Sequence, residues 1–289
     1  MSFIYCNGVR LYYELHGRED APALILNNGI LMNAAASWTL QTCAFAERFR
    51  VLQYDCRGQG LSDHPDGPYS MRQHADDLSA LVDTLSIERA HVLGISYGGE
   101  VAQAFALAHP SRVRSLVLAD TVSEVGPELR LIVEGWKAAA RSGDADLFFS
   151  VTAPWNFSPE FMAGRAGTLQ AARVRYRELD LPSVARLCDA FLDVDFTARL
   201  GEVTAPTCVI VGERDLLKAP RYSQVIHRSI RGSQLHVLRG AGHAVSLEVP
   251  SMFNATVLNF LAGVEADFSR PPVAPSRDLG PRHPHQEPS

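Results

Sequence analysis

Short apolar runs alternate with single amphipathic helices in the first half of the chain, and this alternation strongly limits the folds it can adopt. The runs at 23–27, 50–55, 90–95 and 113–120 each predict a buried strand. Ahead of them, Asn7-Gly8 between two strand-like stretches predicts a β-hairpin. Strands separated by single helices favour a mostly parallel sheet with helices on both faces. The fold class is therefore α/β.

The strand signals disappear in the middle of the chain and then return. Between 122 and 203 the pattern is helical throughout, and strand and helix signals alternate again from 204 to 262. We expect residues 1–121 and 204–262 to form the core, and 122–203 to form an inserted helical cap over the edge of the sheet. Within the first part, residues 36–48 predict one helix with Ser37 as its cap.

The segment 263–289 differs from the rest of the chain in composition. It carries six prolines between 271 and 288 and few large apolar side chains. Such a segment cannot bury enough apolar surface to offset the entropy of ordering it. We expect this Pro-rich tail to be poorly ordered or to lie on the surface.

Charge and composition narrow the class of protein. A formal net charge of −5 disfavours nucleic acid as a partner. No apolar run approaches the roughly 20 residues of a membrane helix, so no membrane partner is expected. The first residues lack the pattern of a secretion signal, and five scattered cysteines suggest reduced thiols, which together predict a cytoplasmic protein. The ten histidines lack zinc-type spacing, so neither a metal nor another cofactor is expected.

A serine flanked by glycines follows the apolar run 90–95. Gly94, Ser96 and Gly98 form the pattern G-x-S-x-G, and a helical pattern begins directly after it. In such a strand-to-helix turn, a nucleophile is held in strained backbone geometry, and larger neighbours would collide with the strand or helix. The alternative is an ordinary turn whose serine only caps the helix. We predict that Ser96 is a nucleophile.

A serine nucleophile needs a base and an acid, and both follow later strands. In a parallel sheet, reactive groups gather beyond the carboxyl ends of the strands. Asp215 follows the run 208–212, and His243 lies in a glycine-rich loop after 234–238. A neutral imidazole can take the hydroxyl proton, and a carboxylate fixes its tautomer. Asp120, at the end of 113–120, is the alternative acid. We favour Asp215.

Two backbone N–H groups are needed to stabilise the oxyanion that forms when serine attacks a carbonyl. One is expected from Tyr97, after the nucleophile, and the other from Ile30 in the loop "NNGILMN". In the same loop Gly29 permits a sharp turn, and Asn28 is assigned to the substrate site, with a plain turn role as its alternative. The "YDCRGQGLSD" turn is predicted to hold a structural Asp55/Arg57 network.

These motifs resemble the α/β-hydrolase superfamily, in which the triad follows the chain order Ser, Asp, His. The chain is similar more narrowly to 3-oxoadipate enol-lactonases in "NGVRLYYELHG", "LILNNGILM", "FRVLQYDCRGQGLSD", "LGISYGG", "GERD" and "GAGH". Tyr97 stands where that family usually has Met, a departure expected to lie in the pocket. A weaker resemblance is to hydroxyacyl transacylases, which share Asn-Gly in the oxyanion loop.

The resemblance implies a serine hydrolase that cleaves a small carboxylic ester or lactone through an acyl-enzyme. An acyltransferase with the same triad is the alternative, followed by a non-catalytic binding protein. An enol-lactone of a dicarboxylic acid keeps a free carboxylate, which needs a cation. Arg173 and Arg177 share one helical face of the cap and are predicted to bind it, with a solvated basic face as the alternative. Arg175 lies on another face, and Trp136 is assigned to the same pocket. The oligomeric state is left open.

Overall fold

The computed structural model describes residues 2–269, and eight strands of this part form one sheet in the order β1-β2-β4-β3-β5-β6-β7-β8. β1 and β2 are antiparallel, as are β2 and β4, whereas all the other neighbours are parallel. The predicted α/β class with a mostly parallel sheet is confirmed. The strands are β1 Ser2–Cys6, β2 Val9–His16, β3 Ala23–Asn27, β4 Arg50–Tyr54, β5 Ala90–Ile95, β6 Val113–Ala119, β7 Thr207–Gly212 and β8 Gln234–Leu238.

Helices cover both faces of the sheet because successive strand residues point to opposite sides. In β3, Leu24 and Leu26 pack in one apolar cluster, while Ile25 between them packs in the other. The helices are α1 Ala34–Ser37, α2 Thr42–Ala46, α3 Met71–Thr84, α4 Tyr97–Ala108, α5 Pro127–Arg141, α6 Ala145–Asn156, α7 Pro159–Gly164, α8 Ala166–Tyr176, α9 Leu181–Leu192, α10 Pro220–Ser229, α11 Val245–Glu248 and α12 Pro250–Ser269. None of them, within 2–269, is long and apolar enough to cross a membrane.

The single helix predicted over 36–48 is wrong. The chain forms α1 and α2 instead, and Asn33, not Ser37, caps the first of them by accepting the Ala36 amide at 2.9 Å. Ser37 is the last residue of α1. Trp38 interrupts the helix because its fully buried indole donates to Asn28 Oδ1 at 2.8 Å. The buried Trp38 side chain therefore lies between two short helices, where the sequence pattern predicts one.

Five helices, α5–α9, lie between β6 and β7, in the segment that the sequence predicts as a cap. An isolated antiparallel bridge between Glu124 and Asp195 joins the two ends of this segment. Phe196 extends the junction by donating its amide to the Ser123 carbonyl. The chain therefore enters and leaves the helical segment at neighbouring positions above the sheet.

The last helix is longer than its sequence pattern predicts. We expected a tail from 263, but α12 continues to Ser269. Glu265 on this extension accepts from Arg114 at 3.0 Å and contacts the buried His91 ring at 3.0 Å. Phe268 lies 4.4 Å from the Arg114 guanidinium. These contacts hold the last two turns of α12 against β5 and β6. The expectation for 270–289 lies outside the described residues.

Candidate active site

Ser96 occupies a tight turn between β5 and α4, with φ +53° and ψ −121°. A Cβ atom on Gly94 would lie 2.1 Å from the Gly98 carbonyl oxygen, and one on Gly98 would lie 2.2 Å from the Asn27 carbonyl oxygen. Side chains are therefore excluded at both glycine positions. A positive φ at a non-glycine residue costs free energy, and such strain concentrates at functional sites. The turn presents the Ser96 hydroxyl beyond the carboxyl edge of the sheet.

The three side chains singled out from the sequence meet in one chain of hydrogen bonds. His243 Nε2 lies 2.9 Å from Ser96 Oγ, and His243 Nδ1 lies 2.8 Å from Asp215 Oδ2. All three residues are buried, with exposed fractions of 8%, 5% and 2% for Ser96, His243 and Asp215. Because a carboxylate only accepts, Nδ1 donates to it, and Nε2 is left to accept the serine proton.

The acid loop holds the Asp215 carboxylate firmly. Its Oδ1 accepts the backbone amides of Leu217 at 2.9 Å and Lys218 at 2.8 Å, which leaves Oδ2 for the imidazole. Asp120 lies nearby but does not contact His243. Its two oxygens accept the amides of Gly212 at 2.9 Å and Val245 at 3.3 Å. Complete burial, followed by the negative charge of Asp215, raises the pKa of Asp120 well above its usual value.

The loop after β3 faces Ser96 closely. A Cβ atom on Gly29 would lie 3.7 Å from the Ser96 Cβ. Gln59 donates to the carbonyl oxygens of Gly29 at 2.9 Å and Ile30 at 3.3 Å, which fixes the orientation of these peptides. Within residues 2–269 the amides of Ile30 and Tyr97 donate no hydrogen bond. Both N–H groups are thus unpaired, one in the loop that faces Ser96 and one directly after Ser96.

Asn28 supports this loop from below instead of facing the pocket. It is fully buried, and its Nδ2 donates to the Tyr54 carbonyl at 2.8 Å while its Oδ1 accepts from Trp38. All of these partners lie beneath the loop, so the substrate contact assigned to Asn28 is corrected to a structural role. Gly29 and Ile30 do line the pocket.

The side chains of Asp55 and Arg57 hold the structure together, but not through each other. Asp55 accepts the amides of Ala34 at 2.6 Å and Leu61 at 2.8 Å, and burial raises its pKa to about 6. Arg57 makes two 2.8 Å contacts with Asp77 of α3. The predicted Asp55/Arg57 network is therefore two separate anchors, and neither residue lines the pocket.

A cavity of about 290 Å³ lies over Ser96 and His243, between the core and helices α6, α8 and α9. Arg175 lines it, and among the described residues its guanidinium forms no ion pair. Arg173 and Arg177 instead contact Asp146 at 2.8 and 3.0 Å on the outer face of α8. The sequence-based assignment is corrected accordingly: Arg175 is the arginine of this helix that faces the cavity.

Two aromatic side chains lie outside the cavity, contrary to expectation. Trp136 is buried in the apolar cluster beneath α5, so its predicted substrate contact is corrected to a packing role. Tyr97 is also buried, and its hydroxyl lies 2.8 Å from His74 Nε2 on α3. Burial lowers the pKa of His74 to about 3, so its ring is neutral.

The cap contacts the loop of His243 directly, a feature that no sequence signal revealed. The Asn156 carbonyl accepts the Ala244 amide at 3.1 Å. Glu248 accepts the amides of Ser158 at 3.1 Å and Gly242 at 3.0 Å. One backbone hydrogen bond and the Glu248 carboxylate therefore hold the cap and the His243 loop together.

A second contact between core and cap crosses the mouth of the cavity. His64 Nδ1 lies 3.0 Å from Asp180 Oδ2, at the start of α9. Both residues also line the cavity. No group of three or more His, Cys, Asp or Glu side chains that could hold a metal occurs in the part of the chain that the structure describes.

Comparisons with known proteins agree with this geometry. The family model of the alpha/beta hydrolase fold matches residues 22–250. The chain is 30% identical to 3-oxoadipate enol-lactonase 2 of Acinetobacter baylyi, over 86% of this chain and 92% of that protein. It is 33% identical to the protein named "Putative carbamate hydrolase RutD" of Variovorax paradoxus, over 89% and 97% of the two chains.

A solved structure shows the same architecture. The enol-lactonase from Burkholderia xenovorans LB400 superposes with a TM-score of 0.85 at 30% identity, over 90% of this chain and all of that one. The predicted resemblance to enol-lactonase-like hydrolases is thereby confirmed. The chain belongs to the α/β-hydrolase fold family, and it is a hydrolase.

Proposed function

We propose that the protein hydrolyses a small carboxylic ester or lactone through an acyl-enzyme formed on Ser96. The observation that carries this proposal is the continuous contact from Asp215 through His243 to Ser96, at the floor of a cavity. An exposed serine hydroxyl is a weak nucleophile, and a hydrogen-bonded imidazole held by a carboxylate activates it. A cavity of about 290 Å³ suits a small acyl compound.

Acylation follows from the contacts. Ser96 Oγ bonds to the carbonyl carbon as His243 Nε2 takes its proton, and the carbonyl oxygen becomes an oxyanion facing the free amides of Ile30 and Tyr97. Collapse of this intermediate breaks the bond to the leaving oxygen, which receives the proton from His243. In a lactone the leaving hydroxyl or enol stays attached to the acyl group.

Deacylation repeats the same steps with water as the nucleophile. His243 takes a proton from water, the hydroxide adds to the acyl carbon, and the Ser96 oxygen leaves with that proton. The product is a free carboxylic acid. Asp215 holds the imidazole through Nδ1 and stabilises the imidazolium that forms in each half-reaction.

We further propose that the substrate carries a carboxylate and that Arg175 binds it. Arg175 lines the cavity without an ion-pair partner among residues 2–269, whereas Asp146 neutralises Arg173 and Arg177. The likeness to proteins named enol-lactonases supports the same substrate class. Glu178 also lines the cavity and repels a substrate carboxylate, so the bound carboxylate must lie directly against the Arg175 guanidinium.

Arg175→Met is expected to raise KM for a carboxylated lactone or ester by about 10- to 100-fold, since a charged hydrogen bond contributes about 1.5–3 kcal/mol. The long apolar side chain of methionine retains the packing of the arginine stem. Turnover of neutral p-nitrophenyl esters should be nearly unchanged. Steady-state kinetics on matched carboxylated and neutral substrates measures the difference.

Arg173→Met is the matched control, because it removes a charge from the same helix without changing the cavity. It should leave KM for both substrates within about threefold of wild type, in line with an exposed ion pair. A wild-type preference for neutral esters that Arg175→Met does not alter would contradict the carboxylate proposal and favour a general esterase.

A panel of p-nitrophenyl esters and lactones, with and without acyl acceptors, tests the proposed hydrolysis. We expect release of free acid at a rate that acceptors do not change. Transfer of the acyl group to an added acceptor in preference to water would identify an acyltransferase. A carbamate belongs in the panel because relatives at 33% identity are named for that substrate, and its carbonyl would meet the same nucleophile.

A further inference from the structure

A fully buried ion pair joins two segments of the triad. Lys218 Nζ lies 2.9 Å from both carboxylate oxygens of Glu100, and the two side chains are 4% and 0% exposed. Glu100 Oε1 also accepts the Thr121 hydroxyl and, at 2.9 Å, the Val122 amide. The Lys218 ammonium lies 4.7 Å from the centre of the Phe191 ring. Every polar atom of the pair thus has a partner.

Each partner belongs to a segment that carries a triad residue. Glu100 lies in the first turn of α4, and its amide donates to the Ser96 carbonyl at 3.4 Å. Lys218 donates its own amide to Asp215 Oδ1 at 2.8 Å. The ion pair therefore ties the helix that begins at Ser96 to the loop that holds the Asp215 carboxylate.

A gain in folding stability does not by itself explain why this ion pair is buried. The desolvation free energy of two buried charges offsets much of the free energy gained from their attraction. Well-packed apolar residues of similar size often stabilise a core equally well. An ion pair does, however, fix direction and distance more narrowly than apolar contacts. Such narrow geometry matters where an error of about 1 Å at a reacting group costs about 100-fold in rate.

We propose that Glu100 and Lys218 are positioning residues that hold Asp215 against His243 by locking the acid loop to the nucleophile helix. This inference rests on the proposed function, because it assigns the pair an effect on the triad. Neither side chain lines the cavity, so the pair should affect kcat and leave KM nearly unchanged.

The test variant is Glu100→Gln/Lys218→Met. Glutamine keeps the acceptor oxygen for Thr121 and Val122, and methionine keeps most of the volume of the lysine stem. We expect a denaturant midpoint close to wild type, a kcat at least about tenfold lower, and a KM within about threefold on a neutral p-nitrophenyl ester. Glu100→Gln/Lys218→Gln, whose amides can hydrogen-bond across the same gap, serves as the second variant if the first does not fold.

The decisive measurement repeats the double substitution in an Asp215→Asn background. If the pair acts through Asp215, the further loss of kcat there should be less than about twofold, because residues that act as a unit are not additive. A general structural effect would instead multiply with the loss caused by Asp215→Asn. A kcat within threefold of wild type, or a loss that persists undiminished in the Asp215→Asn background, overturns the proposal.

A second buried ion pair supplies a matched control. Arg57 and Asp77 are 8% and 2% exposed and contact each other at 2.8 Å, but neither side chain hydrogen-bonds to a segment that carries a triad residue. Arg57→Met/Asp77→Leu should leave kcat within about threefold of wild type in molecules that remain folded. Ser96→Ala separates the two proposals: if it retains activity, the proposed function fails, whereas an unaffected kcat in the Glu100/Lys218 variant alone removes only the positioning role.

Discussion

Ser96→Ala is expected to lower kcat by about 10⁴-fold or more while the protein stays folded, as removal of a triad nucleophile does elsewhere. Alanine keeps the Cβ atom, so it fits the positive-φ turn as serine does and removes only the oxygen 2.9 Å from His243 Nε2. Steady-state kinetics on a p-nitrophenyl ester measures the loss. Mass spectrometry after treatment with a fluorophosphonate probe should locate the label on Ser96 in the wild type.

Ser223→Ala is the control for loss of a buried hydroxyl. Ser223 lies in α10, and its oxygen makes no hydrogen bond within the described residues, so its removal should leave kcat within about twofold of wild type. Near-normal turnover by Ser96→Ala, or a label on another residue, would refute the assignment of the nucleophile.

Asp215→Asn is expected to cost about 10³–10⁴ in kcat, by analogy with the same change in the serine protease triad. The amides of Leu217 and Lys218 need an acceptor, so the asparagine oxygen will stay with them. Its NH₂ group then faces His243 Nδ1 and favours the tautomer with the proton on Nε2. In that tautomer Nε2 cannot accept the Ser96 proton.

Asp120→Asn provides the comparison between the two neighbouring acids. Asp120 holds the amides of Gly212 and Val245, so asparagine keeps one of these bonds and loses the other. We expect a kcat within about tenfold of wild type and a lower melting temperature, since one buried amide loses its acceptor. Steady-state kinetics of Asp215→Asn and Asp120→Asn shows which substitution lowers kcat more, and thermal unfolding gives the melting temperature of each variant. If Asp120→Asn proved the more damaging to kcat, the role of the acid would move to Asp120.

The sequence was informative wherever topology alone brings residues together. Ser96, Asp215 and His243 each follow a parallel strand, and carboxyl ends of neighbouring parallel strands share one edge, so their proximity follows from chain order. The need for glycines around Ser96 could also be predicted, because the close approach of two backbone segments excludes any side chain there.

The sequence did not predict which cap side chains point toward the cavity. Helical spacing correctly groups Arg173 with Arg177 and separates Arg175, but it does not say which face meets the cavity. That choice depends on Asp146 of α6, a tertiary contact with no local signal. The same limit applies to Trp136, whose burial depends on how α5 packs against α9.

The hydrogen bonds between the cap and the loop of His243 limit how this enzyme can be recombined with its relatives. Asn156 and Ser158 belong to the cap segment, yet their backbones support the loop that holds the imidazole. A chimera that exchanges the whole segment between β6 and β7 would therefore replace part of the support of the His243 loop as well as the helices that line the cavity. Crossover points after Ser158 would transfer α7–α9, including Arg175, and leave the imidazole loop with its own partners.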